Sequence, residues 1–575
     1  MPTILEELRR RNVLKVGAAY AAAVWLIAQI AETVLPVFEL PDALLRILFI
    51  LLGLGFPVTI ILAWIYDLTP QGVRRTDDLA DGAPRVSGQG LNVVIVGCLS
   101  VALLFLVLDR FVWNPVTDTT VTSIAVLPFE VEPPDVETLY LGSGIADSLV
   151  TRLSRLPQLS VKSRSAFGAG PGNLLAIGEQ MKVGAICRGS VSRRNNLLEI
   201  AVELVRVVDG TILWSDRLIR NFSNLASLES DVSAEIAAVL SIELSAEEAA
   251  ILARPPTENA EAYRLYLQGR HFWNQRSQSA LRQSVELYRQ AVDLDPAYAL
   301  AWSGLADSYL MLFAWGVESP EDVAPLALGT AQRAAQLDPS LAEPWATIGY
   351  YKTLYERDWD GAEVAFQKSL ELNRNYSTAH HWYAFYLSTI GDSKAALEEV
   401  LLARDAEPLS PVINGEVGMF FVYDEQYERA IEEMRPAQLW NPDFPSLLMS
   451  LSRAHAMLGH HEEASSMVDI LDSYFRENYL ARGYISAVLV PIGREDDARA
   501  FYEEALAASE SSYIAPGVLG FVAASIGDHD AAFRHFEEGL EQRSLVVSWL
   551  RDPLIAGIRQ DARYAALMRR IGLDP

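Results

Sequence analysis

Residues 377–408, STAHHWYAFYLSTIGDSKAALEEVLLARDAEP, decide how this chain is read. Apolar residues recur at three- and four-residue spacing on both sides of Gly391, so the stretch reads as two helices joined by a glycine turn. Ala396 and Ala403 are small where two antiparallel helices cross closely, and Glu407-Pro408 closes the unit. The pattern recurs on both sides. Asn373-Arg374, Glu407-Pro408 and Asn441-Pro442 close successive units 34 residues apart, and Leu294-Asp-Pro296 and Leu337-Asp-Pro339 close the units before them. Further small pairs, Ala430/Ala437 and Ala498/Ala505, and further turn glycines, Gly459, Gly493 and Gly527, keep the same phase.

A period near 34 with helix–turn–helix patterning is the signature of tetratricopeptide units. About eight fit between Ala262 and Gln542, and the region 258–575 is predicted to be an all-α solenoid. Trp302, Leu305 and Tyr309, then Trp345, Ile348 and Gly349, occupy first-helix positions. The step from Pro296 to Pro339 is 43 residues, which implies an insertion of nine near Phe313 to Glu321, a candidate binding loop. One such unit cannot bury its apolar face alone, so neighbours stack into a superhelix whose first helices line a concave groove. Register counting projects Asp307, Tyr350, His381, Phe385, Met419, Tyr423 and Arg453 into that groove, a surface suited to a protein or peptide partner.

Outward from the array the composition changes. Half of the 575 residues are hydrophobic while 21% are charged, which points to apolar spans beside polar domains. The net charge of −27 argues against a nucleic-acid partner, because phosphate binding needs clustered Lys and Arg, and it favours basic ligands. Two cysteines, Cys98 and Cys187, build neither a disulfide framework nor a cysteine metal site. Three apolar segments, about 16–34, 47–66 and 91–108, are long enough to cross a bilayer, so residues 1–115 are predicted to be a three-helix membrane anchor. Arg9, Arg10, Arg11, Lys15, Arg74, Arg75 and Arg85 mark the cytoplasmic side. Everything after Trp113 then lies across the membrane, in the periplasm of a bacterium with two membranes. Gly53, Gly55 and Pro57 fit close packing and a kink in the second span.

Residues 120–247 read as a small α/β domain. Strands are expected at 123–129, 159–163 and 183–192, helices at 145–156, 174–181 and 225–244, and a hairpin at 197–218 turning on Asp209-Gly210. Ser123-Ile-Ala-Val-Leu-Pro-Phe129, Asp147-Ser-Leu149, Leu159-Ser-Val-Lys-Ser-Arg164, Gly189-Ser-Val191 and Asp209-Gly-Thr-Ile-Leu-Trp-Ser215 resemble the TolB-type amino-terminal domain of bacterial membrane-anchored tetratricopeptide-repeat proteins. The likeness extends to Glu7-Leu-Arg-Arg-Arg-Asn12, to Leu54-Gly-Phe-Pro57 and to a closing segment from Arg551-Asp-Pro553 through Gly572-Leu573, expected to cap the solenoid. That resemblance implies architecture more than activity, with the domain outside the inner membrane. Members of the group are sometimes labelled adenylate cyclases, but no second mixed region here supplies paired metal-binding carboxylates.

Chemistry is sparse elsewhere. Gly142-Ser-Gly144 reads as a helix start, since it stands too far from Phe129 for a dinucleotide turn and lacks the third glycine. His455, His460 and His461 straddle a repeat turn without a cysteine to complete a recognised metal spacing. The sequence therefore predicts a non-enzymatic, cofactor-free scaffold that binds protein or peptide partners at the bacterial inner membrane, with a transmembrane signal relay as the alternative.

Overall fold

A computed structural model describes residues 121–132, 138–163, 173–194, 197–221, 224–544 and 549–574, with scattered positions between 13 and 75. The chain divides into two compact units, 1–119 and 120–575.

In the first unit, Tyr20 donates a hydrogen bond to the carbonyl of Leu52 at 2.7 Å, and its ring lies 5.8 Å from that of Phe56. A Cβ on Gly55 would collide with the Tyr20 hydroxyl, so this glycine permits the close approach read from the sequence. β1 (Tyr66–Thr69) and β2 (Gly72–Arg75) form a short antiparallel ladder. No helix among the described residues is long and apolar enough to cross a membrane. The third expected span, 91–108, lies outside the described residues, as do most of 16–34 and part of 47–66.

The second unit opens with a mixed sheet. β3 (Ser123–Val126) runs parallel to β5 (Ser160–Ser163) and to β6 (Ala185–Arg194), while β4 (Glu130–Val131) continues along β6. From β6 the sheet goes on antiparallel through β7 (Leu197–Arg206) and β8 (Ile212–Asn221). The turn between the last two is set by Gly210, at φ +70°, and by Asp209, which accepts from the Thr211 amide at 2.9 Å. α1 (Leu139–Leu153) and α3 (Leu225–Val239) cover one face, and α2 (Leu174–Met181) covers the other. The expected last helix, 225–244, ends early at Val239, and beyond it a further helix, α4 (Ala246–Ala253), starts behind Ser245, which forms a capping box with Glu248.

Gly142 and Gly144 lie within α1 rather than ahead of it. A Cβ on Gly142 would strike the Phe129 carbonyl, and one on Gly144 would sit 3.1 Å from Leu267. The pair lets α1 approach the sheet on one side and the repeats on the other. Leu267, Tyr263 and Tyr288 of the first repeat share one continuous core with α1 and the sheet, so the α/β domain and the array pack as one body.

Deep in that core, Ser148 of α1 donates to the Glu229 carboxylate, and Arg152 reaches the carbonyls of Leu252 and Arg254 at 3.2 and 3.0 Å. Burial pushes the Glu229 carboxyl up to about 8, although Arg152 and the Ser148 hydrogen bond pull the other way. The unfolded chain releases this proton near the ordinary 4.5 while the folded chain keeps it, so the group's contribution is fully present below 4.5 and is lost as pH rises towards 8. Between pH 5 and pH 8 stability should therefore fall by about 3–4 kcal/mol less in Glu229→Gln than in the parent chain. An equal fall in both would remove Glu229 as the cause.

Eight helix hairpins follow among the described residues. Their first helices are α5 (Ala260–Asn274), α7 (Ala299–Ala314), α9 (Glu343–Tyr351), α11 (Ser377–Ile390), α13 (Pro411–Tyr423), α15 (Pro445–Met457), α17 (Tyr479–Leu489) and α19 (Pro516–Ser525). Their second helices are α6 (Gln278–Leu294), α8 (Pro320–Leu337), α10 (Trp359–Leu372), α12 (Ser393–Ala406), α14 (Tyr427–Trp440), α16 (His461–Tyr474), α18 (Glu495–Ala508) and α20 (His529–Glu541). From α9 to α17 successive first helices start 34 residues apart. The opening stretch of sequence folds as it reads: Gly391, at φ +100°, ends α11, the Asp392 side chain caps α12 at the Ala395 amide, and Ala396 and Ala403 are fully buried.

The nine extra residues of the second unit do not make a loop. They lengthen α7 and α8 to 16 and 18 residues and leave only 315–319 between them. Helix continuation satisfies their backbone groups, which a nine-residue loop would leave to solvent.

Candidate functional site

The array closes on itself. After α20 the chain forms a 3₁₀ segment (Pro553–Gln560) and α21 (Ala562–Arg570), and residues flanking these elements reach back to the third and fourth hairpins. The Trp359 indole donates to the Ile571 carbonyl at 2.8 Å, and Arg551 donates to the Thr389 carbonyl at 3.2 Å. Arg357 reaches the Leu540 carbonyl at 3.3 Å. Across the interior, Leu480 packs 3.2 Å from where a Cβ on Gly316 would stand. The closing segment packs on the last hairpin, as expected of a cap, with Arg563 on Asp530 at 2.8 Å and over the Phe533 ring at 4.5 Å, and it also joins that end of the solenoid to its middle.

Within the curve of the array lies a cavity of about 620 Å³. Its walls come mainly from first helices, as repeat stacking requires: Tyr350 from α9, His381, Trp382 and Phe385 from α11, Glu416, Met419 and Tyr423 from α13, and Tyr484 from α17. Tyr350 stacks on Trp382 with centroids 5.0 Å apart and meets Phe385 edge-on at 5.6 Å. Burial holds the phenols of Tyr350 and Tyr423 well above their ordinary range, with the Glu416 charge adding to the effect. They are neutral hydrogen-bonding groups on an apolar wall.

Five of the seven residues projected into the groove, Tyr350, His381, Phe385, Met419 and Tyr423, line this one cavity. The other two do not. Arg453 is 1% exposed and forms an ion pair with fully buried Asp552 of the closing segment, its guanidinium 5.4 Å from the Tyr484 ring and 5.9 Å from that of Tyr423. It supports the aromatic wall from behind. Asp307, 3% exposed, accepts from the Thr347 hydroxyl, and burial pushes its carboxyl up to about 6. Both sit at the predicted repeat register, but neighbouring chain covers them.

Trp382, Glu416 and Tyr484 were not singled out by register counting, although Glu416 follows Trp382 by one 34-residue period and Tyr484 follows Glu416 by two. The period itself could have found them. Arg276 had no such signal. It stands at φ +53° just past α5, with its guanidinium 3.5 Å from the centroid of the Trp273 ring. Burial and the neighbouring Arg270 push it down to about 10, while Asp307 and Glu407 act in the opposite sense.

A smaller cavity of about 120 Å³ lies between the α/β domain and the repeats. Arg276, His381 and Val412 line both spaces. Around the smaller one the domain is tied to the array by Asn274 on Asp147 at 2.9 Å, Asn373 on Ser154 at 3.0 Å and Lys162 on Asp405 at 2.6 Å. At the sixth hairpin, His455 and His460 meet with Nδ1 atoms 3.1 Å apart. Among the described residues no three His, Cys, Asp or Glu side chains converge as a metal site.

Fold and site together define a mixed α/β domain fused to a closed array of tetratricopeptide-type hairpins with an aromatic interior. Residues 120–236 match the family described as the HilA/YgeH-like transcriptional regulator, second domain. This is a different description of the α/β region from the TolB-type likeness read in the sequence. The chain is 27% identical over 242 residues to a protein of Rhizobium meliloti (strain 1021) bearing the provisional name adenylate cyclase 3, which covers 41% of this chain and 40% of that one. It is 21% identical over 361 residues to the transcriptional regulator HilA of Salmonella typhimurium, covering 61% of this chain and 63% of HilA. The chain thus spans less than two thirds of either relative. Among solved structures, a thermophilic tetratricopeptide-repeat protein of Thermus thermophilus matches at 15% identity with a TM-score of 0.29, over 34% of this chain and 98% of that one.

Proposed function

We propose that this chain is a non-catalytic scaffold of the bacterial envelope that holds a protein or peptide partner in the cavity of its closed repeat array. In this reading residues 1–115 anchor it in the inner membrane, with the N-terminus cytoplasmic and the α/β domain and array on the periplasmic side. The observation that carries the proposal is the convergence of five repeat-register residues from three successive hairpins on one aromatic-walled cavity. Neutral phenols, thioethers and a carboxylate suit recognition of a side chain, since apolar rings contribute area and a few polar atoms fix orientation. A photoreactive residue at Phe385 should capture the partner in cells, and the same residue at exposed Leu402 should not.

A second reading, a signal relay, is favoured by one feature. Arg276, His381 and Val412 belong to the cavity and also to the smaller space against the α/β domain, so an occupant of the first would press on residues that hold the second. The similarity to a protein named as a transcriptional regulator is in keeping with such a role.

A further inference from the structure

If the cavity takes a peptide, its charges decide which side chain enters. We propose that the cavity selects a cationic side chain, Lys or Arg, on an apolar peptide segment, with the Glu416 carboxylate as counter-ion and the surrounding aromatic rings as the cage. This inference rests on the partner-binding reading of the same site.

Glu416 projects from the middle of α13, in the same cavity wall as Tyr350, Trp382 and Tyr423. Its carboxylate makes no hydrogen bond among the described residues. The nearest basic side chain is His381, with Nε2 at 3.7 Å, beyond hydrogen-bond distance, and the Glu416 side chain keeps 28% of its surface open. A carboxylate inside an apolar cavity is costly unless a cation or donor meets it. Aromatic ring faces attract cations and repel anions, so the walls and the carboxylate ask for the same sign of ligand.

Arg276 is the charge that could oppose this. Its guanidinium lies against the Trp273 ring at 3.5 Å, on the side of the cavity shared with the smaller space, where the charges of Asp307 and Glu407 act on it. Asp307 and Glu407 face Arg276 with the opposite charge, whereas no Lys or Arg nitrogen lies within 4 Å of Glu416 among the described residues. Asp443, exposed in the turn between α14 and α15, adds a second negative charge to the cavity lining. The net charge of −27 draws basic segments toward the molecule at long range. A carboxylate-bearing ligand would meet Glu416, Asp443 and the ring faces together, and a neutral one would leave Glu416 without a partner in a drier cavity.

The test titrates the full-length chain by calorimetry with three capped peptides: acetyl-Phe-Ala-Lys-Ala-Phe-amide, its norleucine counterpart of nearly equal size, and its Glu counterpart. The Lys peptide should bind about tenfold more tightly than the norleucine peptide, with the Glu peptide weakest. In Glu416→Gln the Lys preference should shrink to within about twofold, the Lys peptide binding more weakly and the norleucine peptide no more weakly than in the parent chain, since no unpaired carboxylate is then buried beside it. Equal binding of Lys and norleucine peptides, preference for Glu, or no binding of any would overturn the proposal. Free benzylammonium binding more tightly than the Lys peptide would overturn it too, by making the source a small amine instead of a side chain. Capture of a partner from Phe385 without a Lys preference would leave the scaffold reading standing and sink only the charge assignment.

Discussion

Asp552→Ala should lower the stability of the chain by about 3–5 kcal/mol, the loss expected when one member of a buried ion pair is removed and the other stays behind. Asp552 is fully buried, and its partner Arg453 is 1% exposed, with Nε and Nη1 lacking hydrogen bonds among the described residues. In the variant the guanidinium would keep the rings of Tyr423 and Tyr484 but no carboxylate within 4 Å among the described residues. Asp552 also accepts from the Leu554 amide at 2.9 Å, so its loss frees the start of the 3₁₀ segment that closes the array. Denaturant unfolding gives the magnitude, and limited proteolysis should place the first new cuts within 549–574. Arg453→Met combined with Asp552→Ala should recover most of the loss, because no charge is then left buried. A loss below about 1 kcal/mol in the single variant would mean that this pair does not hold the closure.

Phe366→Ala should cost a similar amount, about 3–5 kcal/mol, through the cavity left by a large buried ring. The Phe366 ring is fully buried at the third hairpin, stacked on Tyr383 at 5.3 Å and tilted against Tyr386 at 6.0 Å. On its other side it meets Gly349, where an added Cβ would stand 3.0 Å from the ring. In a repeat array each unit is stabilised by its neighbours, so the damage should spread along the stack before it reaches the α/β sheet. The same helix carries Trp359, whose indole holds the closing segment at Ile571. Hydrogen exchange should therefore accelerate across 343–391 and 562–574 together. Leu402→Ala, at a half-exposed position on α12, should change stability by less than about 0.5 kcal/mol and serves as the comparison. Exchange that accelerates in 343–391 but not in 562–574 would separate the hairpin from the closure.

The repeat hairpins were legible because their signals are local. A glycine at positive φ, an aspartate or serine cap and two small residues at a crossing lie within one 34-residue window, as Gly391, Asp392, Ala396 and Ala403 do. The period then carried Phe385 to Met419, both on the cavity wall. It also carried Met419 to Arg453, where it failed, because what covers Arg453 is Asp552, 99 residues away and outside the repeat pattern. Closure is a long-range event. Trp359 and Ile571 are 212 residues apart, and nothing in either local sequence marks them as partners. The nine extra residues of the second unit read as a loop because spacing reports length without saying whether helices absorb it. The glycine pair of α1 was placed ahead of its helix for a similar reason: Gly142 and Gly144 owe their smallness to Phe129 and Leu267, and Leu267 lies in a different domain of the sequence reading.

The measurement that tests the scaffold account most directly is photocrosslinking in intact cells from benzoylphenylalanine at Phe385, with the attachment points mapped by mass spectrometry. The account predicts one reproducible protein adduct, absent from Leu402, and lost when Tyr350 and Tyr423 on the same wall are both changed to Ala. An adduct that persists in the Tyr350/Tyr423 variant, or equal capture from Leu402, would contradict it.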